Sequence, residues 1–243
     1  MEPRRPRLLR IAAAAVPLSL VLVSAAGSAP AATTIDSATA PQLLAITQSA
    51  IRAAHSGTSY ESKLVGVGIT SVLTNSQATS GEQFTTSGKA KSDVRVISGA
   101  LYFNFNAAQI ASTFGLTNSR WAYKWISVPN SNPLFLTMAP GLQYAALTAT
   151  LAPTGKLNRT GYVRVRTAIT IGVVGGVNAG LGLTSGRQVL YISTRAPYLP
   201  VEVDATGTLH GRAVKIAITF ANWGAKFRIP VPATPTLINR TNL

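Results

Sequence analysis

The chain has 243 residues, with 22 Lys and Arg against 7 Asp and Glu, two His and no Cys. Hydrophobic residues make up 47% and charged residues 12%. That charge is about half of the ~25% usual in soluble domains, and the composition excludes an intrinsically disordered chain. Without cysteine there is no disulfide, thiolate metal site, thiol nucleophile or lipid-modified N-terminal cysteine, and two histidines do not build a three-histidine zinc site.

Arg4, Arg5, Arg7 and Arg10 precede an apolar run from Ile11 to Val23, followed by small residues through Ala32. This three-part pattern predicts a secretory signal peptide over residues 1–31, with Ala29-Pro30-Ala31 as the best A-x-A site and cuts after Ala25 or Ala26 as alternatives. The run is shorter than the ~20 residues that span a bilayer, and Pro17 interrupts it, which argues against a retained anchor. Cleavage would remove four Arg and one Glu, leaving 18 basic and 6 acidic side chains, a net charge of +12. The basic excess therefore belongs to the mature domain and points to anionic partners such as phospholipid head groups or acidic wall polymers. Nucleic acid ranks last, because there is no Lys/Arg block and no RNP-like motif.

Residues 32–40 read as a flexible lead-in. From Pro41, Leu43, Leu44, Ile46, Ala50, Ile51 and Ala54 follow the spacing of an amphipathic helix, with Gly57 as its C-terminal cap. His55, just before that cap, reads as a dipole partner rather than a catalytic base. The period then changes to two: Val65, Val67 and Ile69 share one strand face, which Glu61, Lys63 and Ser71 continue. Glu82 to Thr86 and Ala90 to Ile97 are further strands, and Val94–Ile97 pairs with Leu101–Phe105 as a hairpin through Ser98-Gly99. A helix is expected over Ala107 to Phe114, a strand over Trp121 to Ile126, and a second helix after Pro140-Gly141, carrying Leu142, Ala145, Ala146 and Ala149.

The C-terminal half alternates most cleanly. Val163, Val165, Thr167, Ile169 and Ile171 form one alternating run. Leu190 and Ile192, Val201 and Val203, Val214 to Phe220, and Phe227 to Val231 form the others. Such alternation marks a half-wet antiparallel sheet, here a meander. Residues 233–243 read as a tail. The elements total eight or nine strands, one helix before them and one or two in the middle. They predict an α+β fold: a highly curved antiparallel sheet, or half-barrel, with helices covering the concave face, in a single domain over residues 41–232.

Few residues announce chemistry. Gly172 to Gly180 lacks the Gly-Lys-Ser/Thr ending of a P-loop and reads as a loop, or as an apolar flap. Glu202 and Asp204 point the same way from a strand and face solvent beside Arg or Lys. No serine lies in a G-x-S-x-G elbow, and His210 lies in a turn. Trp121, Tyr123, Trp125 and Trp223 suit either core packing or a carbohydrate or membrane contact. Arg164, Arg166, Lys215, Lys226 and Arg228 lie on polar strand faces, either as a merely solvated surface or as a basic surface for anionic lipid or wall polymer.

Several segments together resemble the LppX/LprG-type mycobacterial lipoproteins. They are Ser98-Gly99-Ala100-Leu101-Tyr102-Phe103, Lys124-Trp125-Ile126, Leu190-Tyr191-Ile192, Tyr198 to Val203, Thr219 to Gly224 and Ile229-Pro230-Val231-Pro232, after a first helix ending near His55-Ser56-Gly57. The resemblance spans residues 40–232. It implies a LolA-like fold and binding or carriage of an acyl-chain lipid or lipidated glycan of the cell envelope, with no catalysis and no cofactor. The missing cysteine removes the lipobox, so the product is expected to be secreted or envelope-associated without a lipid anchor. The inward apolar face and covering helix supply the expected cavity lining: Leu44, Ile51, Val65, Val67, Ile69, Val96, Leu101, Phe103, Phe105, Leu142, Ala146, Val163, Val165, Ile169, Val201, Val203, Ile216 and Ile218. The alternative is an envelope or wall-associated interaction module whose sheet is plugged by its own side chains. Neither a metal site nor an oligomeric state is specified by the sequence.

Overall fold

A computed structural model describes residues 35–66, 69–116 and 120–237. The expected signal peptide lies outside them. The elements run α1 (Ala40–Ala53), β1 (Thr58–Val65), β2 (Ile69–Ser76), β3 (Gly81–Ser87), β4 (Ala90–Ile97), β5 (Ala100–Phe105), α2 (Ala107–Phe114), β6 (Trp125–Pro129), α3 (Pro133–Met138), α4 (Tyr144–Thr150), β7 (Thr154–Val165), β8 (Ala168–Gly176), β9 (Gly186–Ser193), β10 (Pro200–Leu209), β11 (Arg212–Ala221) and β12 (Thr236–Leu237), with a 3₁₀ turn at Pro140–Leu142 before α4. All twelve strands form one sheet in the order β12-β6-β5-β4-β3-β2-β1-β11-β10-β9-β8-β7. Every pairing is antiparallel except β12 with β6. Two meanders, β2–β6 with β1 and β7–β11, therefore meet along β1 and β11.

The register shows how these sequences choose a face. Tyr60, Ser62 and Leu64 of β1 lie opposite Phe220, Ile218 and Ile216 of β11. The same face continues through Val203 and Leu190 on one side, and through Thr74, Gln83, Val94, Phe103 and Ile126 on the other. All four α-helices belong to this inner face. Leu43, Ile51, Tyr144 and Leu147 pack with the residues of β8–β11, whereas Ile110, Ala139 and Leu142 pack with those of β4–β6. At the start of α1, the Thr39 backbone N–H donates to Gln42 Oε1 at 2.8 Å, with Pro41 in the first turn.

Several expectations are corrected. The buried face of β1 is Tyr60, Ser62 and Leu64, not the Val65 face. Val65 is 50% exposed, because Glu61 and Lys63 share its parity and keep that side wet. Val67 and the Ile69 side chain lie outside what is described. The run from Val163 to Ile171 is not one strand: Arg166 and Thr167 form a turn, Arg166 having a φ of 54°, and the run becomes the β7–β8 hairpin. The glycine-rich stretch, expected as a loop, supplies Gly172–Gly176 of β8, paired to β9. Phe227 to Val231, expected as a strand, pairs with no strand. Strand β6 begins at Trp125, after turns at Trp121–Tyr123. Thr236 and Leu237, expected in the tail, pair with Ile126 and Ser127. Helix α3 has no counterpart in the sequence reading; Pro133 occupies its first turn behind the Asn132 cap.

Gly57 was expected to cap α1. Instead Ala54 ends that helix, donating to Ala50 O at 3.0 Å. A Cβ on Gly57, whose φ is 155°, would stand 2.6 Å from Ser76 O and 2.8 Å from Ala225 O. The glycine lets two backbones close in, and Gly224 N–H donates to Gly57 O at 2.8 Å. From there the C-terminal segment crosses the sheet as a strap. Gln77 donates to Phe227 O at 2.8 Å, Arg95 donates to Pro230 O at 2.9 Å, and β12 closes against β6.

Candidate functional site

The inner face does not carry one continuous apolar surface. It bears two apolar clusters, one over β8–β11 with α1 and α4, the other over β4–β6 with α2. Between them lie the inner positions of β2 and β3, which are Thr70, Val72, Thr74, Ser76, Gln83 and Thr85. Most of their polar groups are satisfied locally: Ser76 donates to Leu142 O at 2.9 Å, Gln83 to Thr74 Oγ1 at 3.3 Å, and Thr70 to Ser87 Oγ at 2.9 Å. Burial of these groups is therefore inexpensive, and the strip separates the clusters chemically. Gly81, at the end of this strip, allows the 3₁₀ turn to rest on the sheet, since a Cβ there would lie 2.1 Å from Leu142 O.

In the β4–β6 cluster, Phe103 packs at a tilt against Phe105 with ring centroids 4.8 Å apart, and Phe114 of α2 reaches them at 6.4 and 6.1 Å. Asn106 holds α2 in place: its Oδ1 accepts from Gln109 N at 2.8 Å and from Lys91 N at 3.0 Å, and its Nδ2 donates to Lys89 O at 2.7 Å. Gly115, with a φ of 69°, ends the helix. Between α2 and the sheet runs a seam lined by Phe103, Ile110, Phe114, Leu116, Trp121 and Ile126 that leaves no room for a water molecule. All six side chains are apolar over most of their surface, so a wedge entering the seam meets hydrocarbon and aromatic carbon.

The second cluster is pinned by polar groups at its margin. Tyr144 donates to Ile51 O at 2.7 Å, tying α4 to α1, and burial pushes its hydroxyl pKa up to about 12. Burial likewise raises the Tyr60 pKa, against a lowering hydrogen bond with Thr74. The fully buried Gln188 donates to Leu151 O at 2.8 Å and accepts from Asn178 N at 2.8 Å. Asn178 in turn donates to Ala149 O and Ala152 O. These bonds explain why the glycine-rich region is framework rather than a flap. Thr47 of α1 is also fully buried, and its hydroxyl finds no partner.

Among the described residues, the expected lining side chains do not converge on one hollow. Val96, Leu101, Phe103, Phe105 and Leu142 enter the β4–β6 cluster. Ile51, Val203, Ile216 and Ile218 enter the other, with Leu44 packed at its margin. Ala146 and Val201 are half-buried, and Val165 is buried on the β7–β8 hairpin. Val65, Val163 and Ile169 are 50%, 38% and 51% exposed and line no interior, because hairpin ends and edge strands lose the cover that an alternating pattern assumes.

The face away from the helices carries the polar chemistry. Glu202 lies 3.7 Å from Arg166 and accepts from Thr219 Oγ1 at 3.2 Å, and Asp204 lies 3.8 Å from Lys215. These acids share a face, each matched to a cation. A cleft of about 340 Å³ opens where the β7–β8 turn lies over Ser59, Glu61 and Thr219. His55 is exposed against Ala53 O, and His210 occupies the β10–β11 turn; no hydrogen bond joins either to a serine or an acid among the described residues.

Sequence reasoning missed a charged cluster beneath the strap. Arg95 meets Glu82 at 2.8 Å and Asp93 at 2.9 Å and lies 4.6 Å over the Trp125 ring. All three charged side chains are less than one-fifth exposed. Burial raises the Asp93 pKa, with the Arg95 guanidinium pulling it back down. The signal was Asp93-x-Arg95, two apart on one strand, with Glu82 on the neighbouring strand of a hairpin.

No protein-family model matches the chain, and no curated protein matches it in sequence. Among solved structures, the lipoprotein LppX of Mycobacterium tuberculosis is similar with a TM-score of 0.49 at 14% identity, covering 78% of this chain and 99% of that one. LprF of Mycobacterium bovis is similar with a TM-score of 0.45 at 15% identity, covering 80% and 98%. The present chain has no cysteine.

Proposed function

We propose that the chain is an exported protein that binds an acyl chain of an envelope lipid or lipidated glycan between sheet and helices, without catalysis. The observation that supports this best is the seam under α2. It is walled by six apolar side chains, bounded on one side by an eight-residue helix, and closed to water. Such a seam is a place where an apolar chain displaces no ordered solvent. Each methylene buried there contributes about 0.8 kcal/mol, so a long chain would offset the cost of lifting α2. The sheet in this reading is a half-barrel with the helices on its concave side, since open sheets of more than ~10 strands curl as their twist accumulates.

The expected basic exterior is reduced by internal pairing. Arg166 and Lys215 are matched to Glu202 and Asp204, whereas Arg164, Lys226 and Arg228 remain exposed and suit an anionic membrane surface. No helix among the described residues is long and apolar enough to cross a membrane. The test is extraction of the purified protein with organic solvent followed by mass spectrometry, with titration of a fluorescent fatty-acyl reporter alongside. The expected result is a bound lipid, or saturable uptake that displaces it. Absence of both refutes the reading.

A second reading is favoured by the same closed seam: an envelope interaction module whose sheet is plugged by its own side chains. It expects no uptake of the acyl reporter at any concentration and an unchanged melting temperature in its presence.

A further inference from the structure

Trp121, Tyr123, Trp125 and Trp223 are divided by the fold. Trp121 turns into the seam, and Trp223 packs with Phe220 and Tyr144 and donates to Pro200 O. Trp125 lies beneath Arg95. Only Tyr123 is left outside, 72% exposed, with its backbone N–H fixed to Phe105 O at 2.8 Å and a φ of 62°. A tyrosine in the left-handed region is uncommon, and here that conformation accompanies the chain's passage around the end of β5, from Trp121 in the seam to Tyr123 at the outer cleft.

Tyr123 borders a cleft of about 430 Å³ on the outer face, away from the seam. Its lining includes Phe84, Thr86, Lys91, Asp93 and Asn104. The register places Phe84, Asp93 and Asn104 in one row across β3, β4 and β5. Phe84 is 39% exposed, and the Asn104 amide makes no hydrogen bond among the described residues. The cleft therefore sets two open aromatic rings around polar groups free to bond, at a volume suited to a small ligand.

Charge narrows the ligand further. Two nitrogens of Arg95 hold the Asp93 carboxylate, and the same guanidinium pairs with Glu82, so these three side chains together carry one net negative charge, which the lysines around the cleft outnumber. Lys91 lines the cleft, Lys89 sits beside it at the β3–β4 turn, and Lys124 follows Tyr123. All three are exposed, and none forms an ion pair among the described residues. A pyranose ring offers an apolar C–H face to an aromatic ring and a rim of hydroxyls to amides and hydroxyls. A carboxylate on that ring answers the lysines.

We infer that this outer cleft is a binding site for an acidic saccharide, a uronate-bearing glycan seated between Tyr123 and Phe84 with its carboxylate toward Lys91. The site is separate from the acyl seam and stands whether or not the seam takes lipid. The test is titration of the full chain with trigalacturonate, and with uncharged maltotriose as the control, by calorimetry. Trigalacturonate is expected to bind, to weaken with added salt, and to outcompete maltotriose. Tyr123→Ala is expected to weaken it about tenfold, Tyr123→Phe to restore it, and Lys91→Gln to weaken it while flattening its salt dependence. The thermal midpoint and acyl-reporter uptake should stay unchanged in all three variants, since both side chains are exposed and line the outer cleft rather than the seam. Absence of saturable binding, equal affinity for the two sugars, or an indifferent Tyr123→Ala overturns the inference. So does loss of binding to anionic phosphatidylglycerol vesicles in that variant with sugar binding intact, which would make the surface a membrane contact.

Discussion

Phe103→Ala is the sharpest probe of how the β4–β6 cluster is built. Phe103 is 1% exposed, touches Phe105 and Phe114, and is held in register between Val94 and Ile126. Neither neighbouring strand can shift inward without breaking its ladder, so the site collapses poorly and most of the ring's volume remains as a void. Truncations of this kind cost about 3–5 kcal/mol, a large share of the ~5–15 kcal/mol that holds a domain folded. At about 2–4 °C per kcal/mol for a chain of this length, the midpoint should fall by roughly 6–20 °C. Urea and thermal unfolding followed by circular dichroism measure it. The new void joins the seam, so an acyl ligand at 100 times its dissociation constant should recover about 2.7 kcal/mol. A loss below about 1 kcal/mol would refute the enclosure of Phe103, and a normal loss without recovery by any acyl ligand would refute the continuity of void and seam.

Thr47→Val should stabilise the protein by about 1 kcal/mol in urea unfolding, because it removes a buried hydroxyl that has no partner while keeping the side chain's shape. Arg95→Met should cost about 3–5 kcal/mol, since Glu82 and Asp93 would be left without their countercharge beneath the strap; unfolding at neutral pH measures it, and Glu82→Gln in the same background should recover part of the loss. Tyr144 is protonated more readily in the fold than in the unfolded chain, so its contribution is complete below the ordinary value of 10.0 and is lost as pH rises toward about 12. Stability measured across that range should decline less steeply in Tyr144→Phe, which should also lose about 1 kcal/mol at neutral pH through the missing bond to Ile51 O.

Local pattern made much of the architecture legible. The hairpin of β4 and β5 follows from Ser98-Gly99 between alternating runs, and α2 from a short apolar period closed by Gly115. Strands β9 to β11 follow from strict alternation. Parity was harder to read. On β1 the apolar Val65 and the shorter set Tyr60, Ser62 and Leu64 compete, and only pairing with Ile216, Ile218 and Phe220 decides between them. The polar inner strip of β2 and β3 is likewise a tertiary fact, tolerable because Thr74, Ser76 and Gln83 find partners supplied by neighbouring segments. Glycines 172, 175 and 176 mislead for a related reason. A loop was the natural reading, yet they permit close approach to Thr160 and Thr154, where a Cβ would fall 2.9, 2.6 and 3.1 Å from the nearest atoms. The outer cleft left only a faint trace, since nothing in Trp121-Ala122-Tyr123-Lys124-Trp125 says which ring will face outward.

The junction of β1 with β11 has a consequence for how the molecule is made. Within each meander most neighbouring strands are joined by short connections, β5 and β6 by the longer passage through α2, so most of their pairings are local and form quickly. Ser59 and Ala221, by contrast, are 162 residues apart. The entropy of closing a loop of that size must be spent before any contact rewards it. Each half can thus register its own hairpins early, while zipping the halves together sets the pace. Until then two long raw edges stand open, and it is at that stage, rather than in the finished sheet, that the chain is most exposed to pairing with a neighbour.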